Sequence, residues 1–197
     1  MSTHTLSWLF ISSGLAMPAF VALLRGVNVG KAKRVPMADL RGIVEELGGT
    51  SVKTLLNSGN VVFDRVRATP SKLALELSAA IEARLKVKVP VIVKSSAEFT
   101  AVMKENRLSK HASDHSRLLV AFMQESNALA RLSTLSPLTA PPEEFTVGEH
   151  AAYLYCAAGI LESKLGAALV GKAGNSVTTR NWATCLKLQS LLGERDA

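Results

Sequence analysis

The residues with the most chemistry in them lie in three short segments. Arg25-Gly26-Val27-Asn28-Val29-Gly30 leads into Lys31, Lys33 and Arg34. An apolar run before it and a proline after it place this loop between a buried strand and a helix start. Free amides and the positive end of a helix dipole favour an anion there. Arg25 could grip a phosphate or carboxylate with two parallel N–H groups, and Lys33 adds a point charge. The loop is neither a G-x-G-x-x-G fingerprint nor a G-x-x-x-x-G-K-[ST] loop, and its glycines could equally serve only the turn. Asn57-Ser58-Gly59-Asn60 reads first as a tight hairpin. Ser58 and Asn60 also offer neutral donors and acceptors to a sugar, base or phosphate. Thr178-Thr179-Arg180-Asn181-Trp182 reads as a capped helix start. Arg180 and Asn181 could take an anion there, or Arg180 could pair with an acid while Trp182 packs in the core.

The remaining reactive residues carry less. Cys156 and Cys185 are far apart, outside any C-x-x-C pattern, and read as inert core thiols. His111 and His115 lie four apart, but a metal site would need further ligands at better spacing. We therefore expect no metal and no cofactor.

These segments need elements to hold them. Ala19–Leu24 is a continuous apolar run of strand length. Pro36 opens a helix with Met37, Leu40, Val44 and Leu47 on one face, ended by Gly48-Gly49. Val52–Leu56 and Asn60–Phe63 make two strands. Thr69 caps a helix with Pro70 at its first position and Leu73, Leu77, Ile81 and Leu85 at four-residue spacing. Val87, Val89, Val91 and Val93 alternate along a fourth strand, which Pro90 confines to an edge or a strand start. The order is the split βαβ, or ferredoxin-like, unit. A weaker echo follows: a helix over Ser96–Met103, a strand over Leu118–Met123, a helix over Asn127–Leu135, a hairpin of Glu144–Val147 with Ala151–Cys156, a helix over Glu162–Leu169, a flexible Gly171–Asn175 and a last helix from Arg180 to Leu192. The expectation is an α+β protein of two ferredoxin-like subdomains, 17–94 and 95–197, packed together and arisen by duplication.

The chain has 197 residues, 48% of them hydrophobic and 20% charged. That excludes a disordered or low-complexity protein. Its 23 basic residues against 16 acidic ones give a net charge of +7. Residues 1–94 contain 13 basic and 6 acidic groups, so the whole excess sits in the first half. A basic half suits an anionic partner. No charged residue precedes Arg25, and Met17-Pro18 runs directly into the first strand, so residues 1–16 read as a non-structural extension. The stretch has no positive n-region and is too interrupted for a membrane span. The expected setting is the cytoplasm, away from membranes.

Taken together, Leu23 to Gly30, Lys33 to Leu40 through Val35-Pro36-Met37, Asn57 to Phe63, Glu162-Ser163-Lys164-Leu165 and Thr179-Arg180-Asn181-Trp182 resemble the bacterial domain-of-unknown-function 1697 family. The resemblance runs from Met17 to about Leu192. It implies two ferredoxin-like halves and no established activity. It marks Arg25, Gly26, Asn28, Gly30, Lys33, Pro36, Ser58, Gly59, Asn60, Ser163, Lys164, Arg180, Asn181 and Trp182 as motif positions. Departures are Gly30-Lys31 where the family commonly has two glycines, and Ala157 where it has proline.

The favoured function is binding of a small anion, such as a nucleotide or phosphorylated metabolite, in a cleft between subdomains. Its ligand-binding residues would be Arg25, Asn28, Gly30, Lys33, Ser58, Asn60, Lys164, Arg180 and Asn181. The alternatives are nucleic-acid binding, an enzyme acting on a phosphorylated small molecule, and a protein-interaction module. Aromatic residues are only 5% of the chain, which counts against the stacking surfaces of ferredoxin-like RNA readers.

Overall fold

The computed structural model describes residues 17–30, 33–110, 112–171 and 176–195. Residues 1–16, Lys31, His111 and most of the expected Gly171–Asn175 loop lie outside the described residues, with the expectations attached to them. Among the described residues no helix is long and apolar enough to cross a membrane, and no cluster of three His, Cys, Asp or Glu side chains could hold a metal.

Strands β1 (Ala19–Leu24), β2 (Thr50–Leu55), β3 (Asn60–Asp64) and β4 (Val91–Ser95) form one antiparallel sheet in the order β2-β3-β1-β4. Helices α1 (Met37–Glu46) and α2 (Pro70–Leu85) connect them. Thr69 accepts a hydrogen bond from the Lys72 amide, and Pro70 occupies the first turn, where its missing N–H costs nothing. β4 begins at Val91 rather than Val87. Pro90 has no N–H for the ladder, so pairing starts after it.

The second sheet contains β5 (Leu118–Met123), β6 (Glu144–Val147), β7 (Ala152–Tyr155) and β8 (Val177–Asn181) in the order β6-β7-β5-β8. A 3-10 helix, Ser126–Leu138, stands where a regular helix was expected. Its run of Ser, Asn and Thr with Pro137 inside gives the α form little support. Helix α4 (Lys164–Val170) joins β7 to β8. Val177–Asn181 corrects the expected helix start at Arg180. The β-branched Val177-Thr178-Thr179 run pairs with β5, and Asn181 caps α5 (Trp182–Gly193) by accepting from the Thr184 amide.

Helix α3 (Ser96–Glu105) follows β4 as α5 follows β8, with no intervening residue in either case. Both helices lie between the sheets. The central core joins Val21, Leu23, Val62 and Ile92 from the first sheet to Leu118, Val120, Phe122 and Tyr153 from the second, with Phe99, Val102, Trp182, Cys185 and Leu188 between them. The Phe99 and Phe122 rings stack 5.8 Å apart. α1 and α2 cover the outer face of the first sheet. The 3-10 helix and α4 cover that of the second.

Pairing registers repeat from sheet to sheet. Phe20 faces Ser95 as Leu119 faces Asn181, and Leu24 faces Val91 as Met123 faces Val177. Lys94 and Arg180 therefore occupy the same place, one residue before the end of each sheet's last strand. Both are buried.

Candidate functional site

The last residue of β1 brings the two halves together. The Arg180 Nη2 donates to the Leu24 carbonyl at 2.7 Å, and to Ser58 and Gly59 carbonyls at 3.0 and 3.2 Å. Its Nη1 reaches Thr178 Oγ1 at 3.0 Å and the Thr179 carbonyl at 2.7 Å, while Nε donates to Asn60 Oδ1. All five N–H groups are thus satisfied, by neutral acceptors alone. Asn60, fully buried, donates in turn to the Leu55 carbonyl and Ser58 Oγ, both at 2.9 Å. Burial lowers the Arg180 pKa to about 10, which still leaves it charged at neutral pH.

Gly59 makes this approach possible. Its φ is +73°, and a Cβ there would come within 2.6 Å of Leu24 Cβ and 2.7 Å of Val27 Cγ2. Only glycine lets the turn lie against the end of β1.

Arg25 crosses in the opposite direction. Its Nε donates to the Val177 carbonyl at 2.7 Å, and Nη2 to the Val170 and Gly171 carbonyls at 3.1 and 2.9 Å. Between the two arginines opens a cleft of about 510 Å³. Leu24, Val27, Val29, Leu169, Val170 and Val177 make its apolar wall, and Ser58, Thr178 and Thr179 its hydroxyl groups. The lining contains no Asp or Glu, and among the described residues neither arginine makes a salt bridge. A pocket of this size, mostly apolar with a few convergent polar groups, suits a small molecule.

Arg25, Ser58 and Arg180 therefore meet, with Asn60 directly behind them. Asn28 and Gly30 line a neighbouring hollow of about 380 Å³ with Arg34, Pro36 and Asn57. There the Asn28 side chain fastens the loop: Nδ2 donates to the Val35 and Asn57 carbonyls at 2.9 and 2.6 Å, and Oδ1 accepts from the Val35 amide at 2.9 Å. Lys33 and Lys164 are exposed and line neither space. Asn181 is spent on the helix cap, and Trp182 packs in the central core, outside the cleft lining. Sequence reasoning read Thr178 and Thr179 as a cap and missed them as cleft residues. The β-branched Val177-Thr178-Thr179 run was the signal for a strand that alternates its side chains.

The two cysteines are buried and unpaired. Burial pushes the Cys185 thiol up to about 12, with Arg180 acting the other way, and it also raises Cys156. Neither is a poised nucleophile.

The family model described as a protein of unknown function (DUF1697) matches residues 17–153. The chain belongs to the DUF1697 family. Among solved structures, the conserved bacterial protein SP0830 from Streptococcus pneumoniae has the same fold, with a TM-score of 0.74 and 23% sequence identity over 90% of this chain and 99% of that one. No curated protein matches the sequence. The DUF1697 match covers the glycine loop and the Asn57–Asn60 turn, and stops before Arg180.

Proposed function

We propose that the cleft between the two halves binds a small organic anion. One observation carries this: Arg25 and Arg180 line the same largely apolar space, and no carboxylate in that lining neutralises them. A buried cation without a partner is costly, and an anionic ligand offsets the cost. Arg180, its N–H groups already engaged, contributes its field. Arg25 Nη1, which has no partner among the described residues, contributes donors. Ser58 contributes a hydroxyl proton, since its oxygen already accepts from Asn60. Asn28 and Gly30 shape the loop beside the cleft, whereas Lys33 and Lys164 attract an anion from the surface. The lining offers no paired nucleophile and base, so the reading is one of binding.

The same proposal takes the two halves, expected as 17–94 and 95–197, as ferredoxin-like copies of one ancestral unit. Helix α3 belongs to the first copy, so the boundary falls after Glu105. Matching strand order, matching register and a trailing helix after each sheet support it. The cleft is then the joint between the copies. Two buried free thiols suit a reducing bacterial cytoplasm.

A melting screen of the purified protein against nucleotides, sugar phosphates, small carboxylates and short RNA and DNA tests the function. A ligand at a hundred times its Kd stabilises by about 2.7 kcal/mol, enough to move the midpoint by several degrees. Arg25→Ala should abolish the shift, and Arg25→Lys should restore it only in part, since lysine lacks the fork. Equal shifts in all three proteins would reject the site.

A further inference from the structure

The two arginines do more to the cleft than charge it: they occupy its acceptors. Among the lining residues, the carbonyls of Leu24, Ser58 and Thr179 accept from Arg180, and those of Val170 and Val177 accept from Arg25. Thr178 Oγ1 accepts from Arg180 Nη1 at 3.0 Å and lies 3.4 Å from the Leu24 carbonyl, to which it donates. Among the described residues no Asp, Glu, Asn or Gln lines the space. What stays open toward it is a set of donors. Arg25 Nη1 and the Ser58 and Thr179 hydroxyl protons have no acceptor among the described residues.

Such an inventory sorts anions by the body that carries the charge. A nucleotide or sugar phosphate brings hydroxyl or amino donors, which hold water partners in solution and would find few acceptors here. Each buried donor left unpaired weakens binding by about tenfold or more. An ammonium group would meet two cations and no acid. The wall formed by Leu24, Val27, Val29, Leu169, Val170 and Val177 is aliphatic, with no ring on which a base would stack. Val29 and Val170 are 74% and 53% exposed, so this wall runs out to the mouth and leaves apolar area for a ligand to cover.

Resting on the cleft reading above, we infer that the ligand is an amphiphile, one anionic head on an aliphatic body that carries no hydroxyl or amino group. Its head, whether carboxylate, sulfate or phosphate, sits at Arg25, Ser58 and Thr179. Its body lies along Val27 and Leu169 and passes Val29 and Val170 toward the mouth.

Titration calorimetry on the full chain, below micelle-forming concentrations, tests it by varying the body and the head separately. With phosphate as the head, the bodies are propyl, hexyl and octyl, then glycerol phosphate and AMP. With octyl as the body, the compounds are octanoate, octyl sulfate, octyl phosphate and octanol. At least one octyl anion should bind about tenfold or more tighter than octanol, and Arg25→Ala should abolish the difference. Shortening the chain of that anion should weaken binding by about fourfold per buried methylene lost. Glycerol phosphate should bind more weakly than propyl phosphate, and AMP more weakly than the best octyl anion. Val29→Ser combined with Val170→Ser, both at exposed positions, should bind that anion about fourfold or more weakly. AMP or glycerol phosphate binding tighter than every octyl anion, with dependence on Arg25, overturns the amphiphile and leaves the anion cleft standing. Affinity independent of chain length, or unchanged in the double serine variant, does the same. Octanol binding as tightly as the octyl anions, or no binding by any compound, removes both readings. The ligand series uses the unaltered protein, so its outcome does not depend on whether a variant folds.

Discussion

At the scale of single residues, Arg180 is a structural fastener as well as a source of charge. Replacing it with methionine removes a desolvated cation, which favours the variant, but strips the Ser58 carbonyl and Asn60 Oδ1 of their Arg180 donors. An abandoned buried acceptor costs about 1–3 kcal/mol, so the loss wins. Arg180→Met should be destabilised by about 2–3 kcal/mol in urea unfolding, and an unchanged midpoint would contradict this role. Glu105 is the corresponding fastener at the other end of α3. Burial alone raises its pKa, but the Glu149 and His150 amides at 2.5 and 3.1 Å and the Tyr153 hydroxyl at 2.9 Å hold the carboxyl below its usual 4.5. The unfolded chain therefore binds the proton more readily than the folded one. Stability from this group is present above pH 4.5 and is lost as pH falls through the lowered folded value. Glu105→Gln should flatten the stability profile below pH 4.5, and an unaltered slope would show that the carboxylate is idle.

At the scale of elements, the two hairpin turns are held by close approach. A Cβ on Gly148 would press against the Glu105 carboxylate, at the end of a flexible side chain. A Cβ on Gly59 would collide with Leu24 and Val27 in the core, and Gly59 also has positive φ. Gly59→Ala should therefore cost about 2–3 kcal/mol, combining overpacking with backbone strain. Gly148→Ala should cost less, about 1–2 kcal/mol, because displacing the Glu105 carboxylate weakens its hydrogen bonds to the Glu149 and His150 amides but leaves the core packing intact. Chemical unfolding of the two variants side by side decides the order, and the reverse order would refute it. The Asn57–Asn60 turn was legible as a turn from residue type. That it braces a buried arginine 120 residues away was not.

At the scale of the molecule, α3 and α5 are shared between the sheets. Removing the second half would bare Val21, Leu23, Val62 and Ile92. A 17–94 fragment should fail to give a soluble folded species, while the whole chain should unfold in one transition by fluorescence and circular dichroism together. Two separated transitions, or a well-folded fragment, would make the halves independent domains. Asp64 and Arg195, paired at 2.6 Å and both largely buried, tie the end of α5 to the first sheet in the same way.

Local pattern determined a good deal. Apolar periodicity, the Thr69-Pro70 start and the glycine turns set the first sheet and its helices, because each depends on residues a few positions apart. The same local logic failed at Val177–Asn181. Thr178 and Thr179 are good caps and good strand residues alike, and pairing with β5 decides between them. Arg25 and Ser58 could be singled out for their chemistry, as could Arg180. Only the packing of two sheets against α3 and α5 decided that they meet, that Lys33 and Lys164 stay outside the cleft, that Asn181 is engaged in the helix cap, and that Lys94 sits in the matching place of the first sheet. Those outcomes depend on contacts between residues far apart along the chain, and such contacts leave no periodic trace in it.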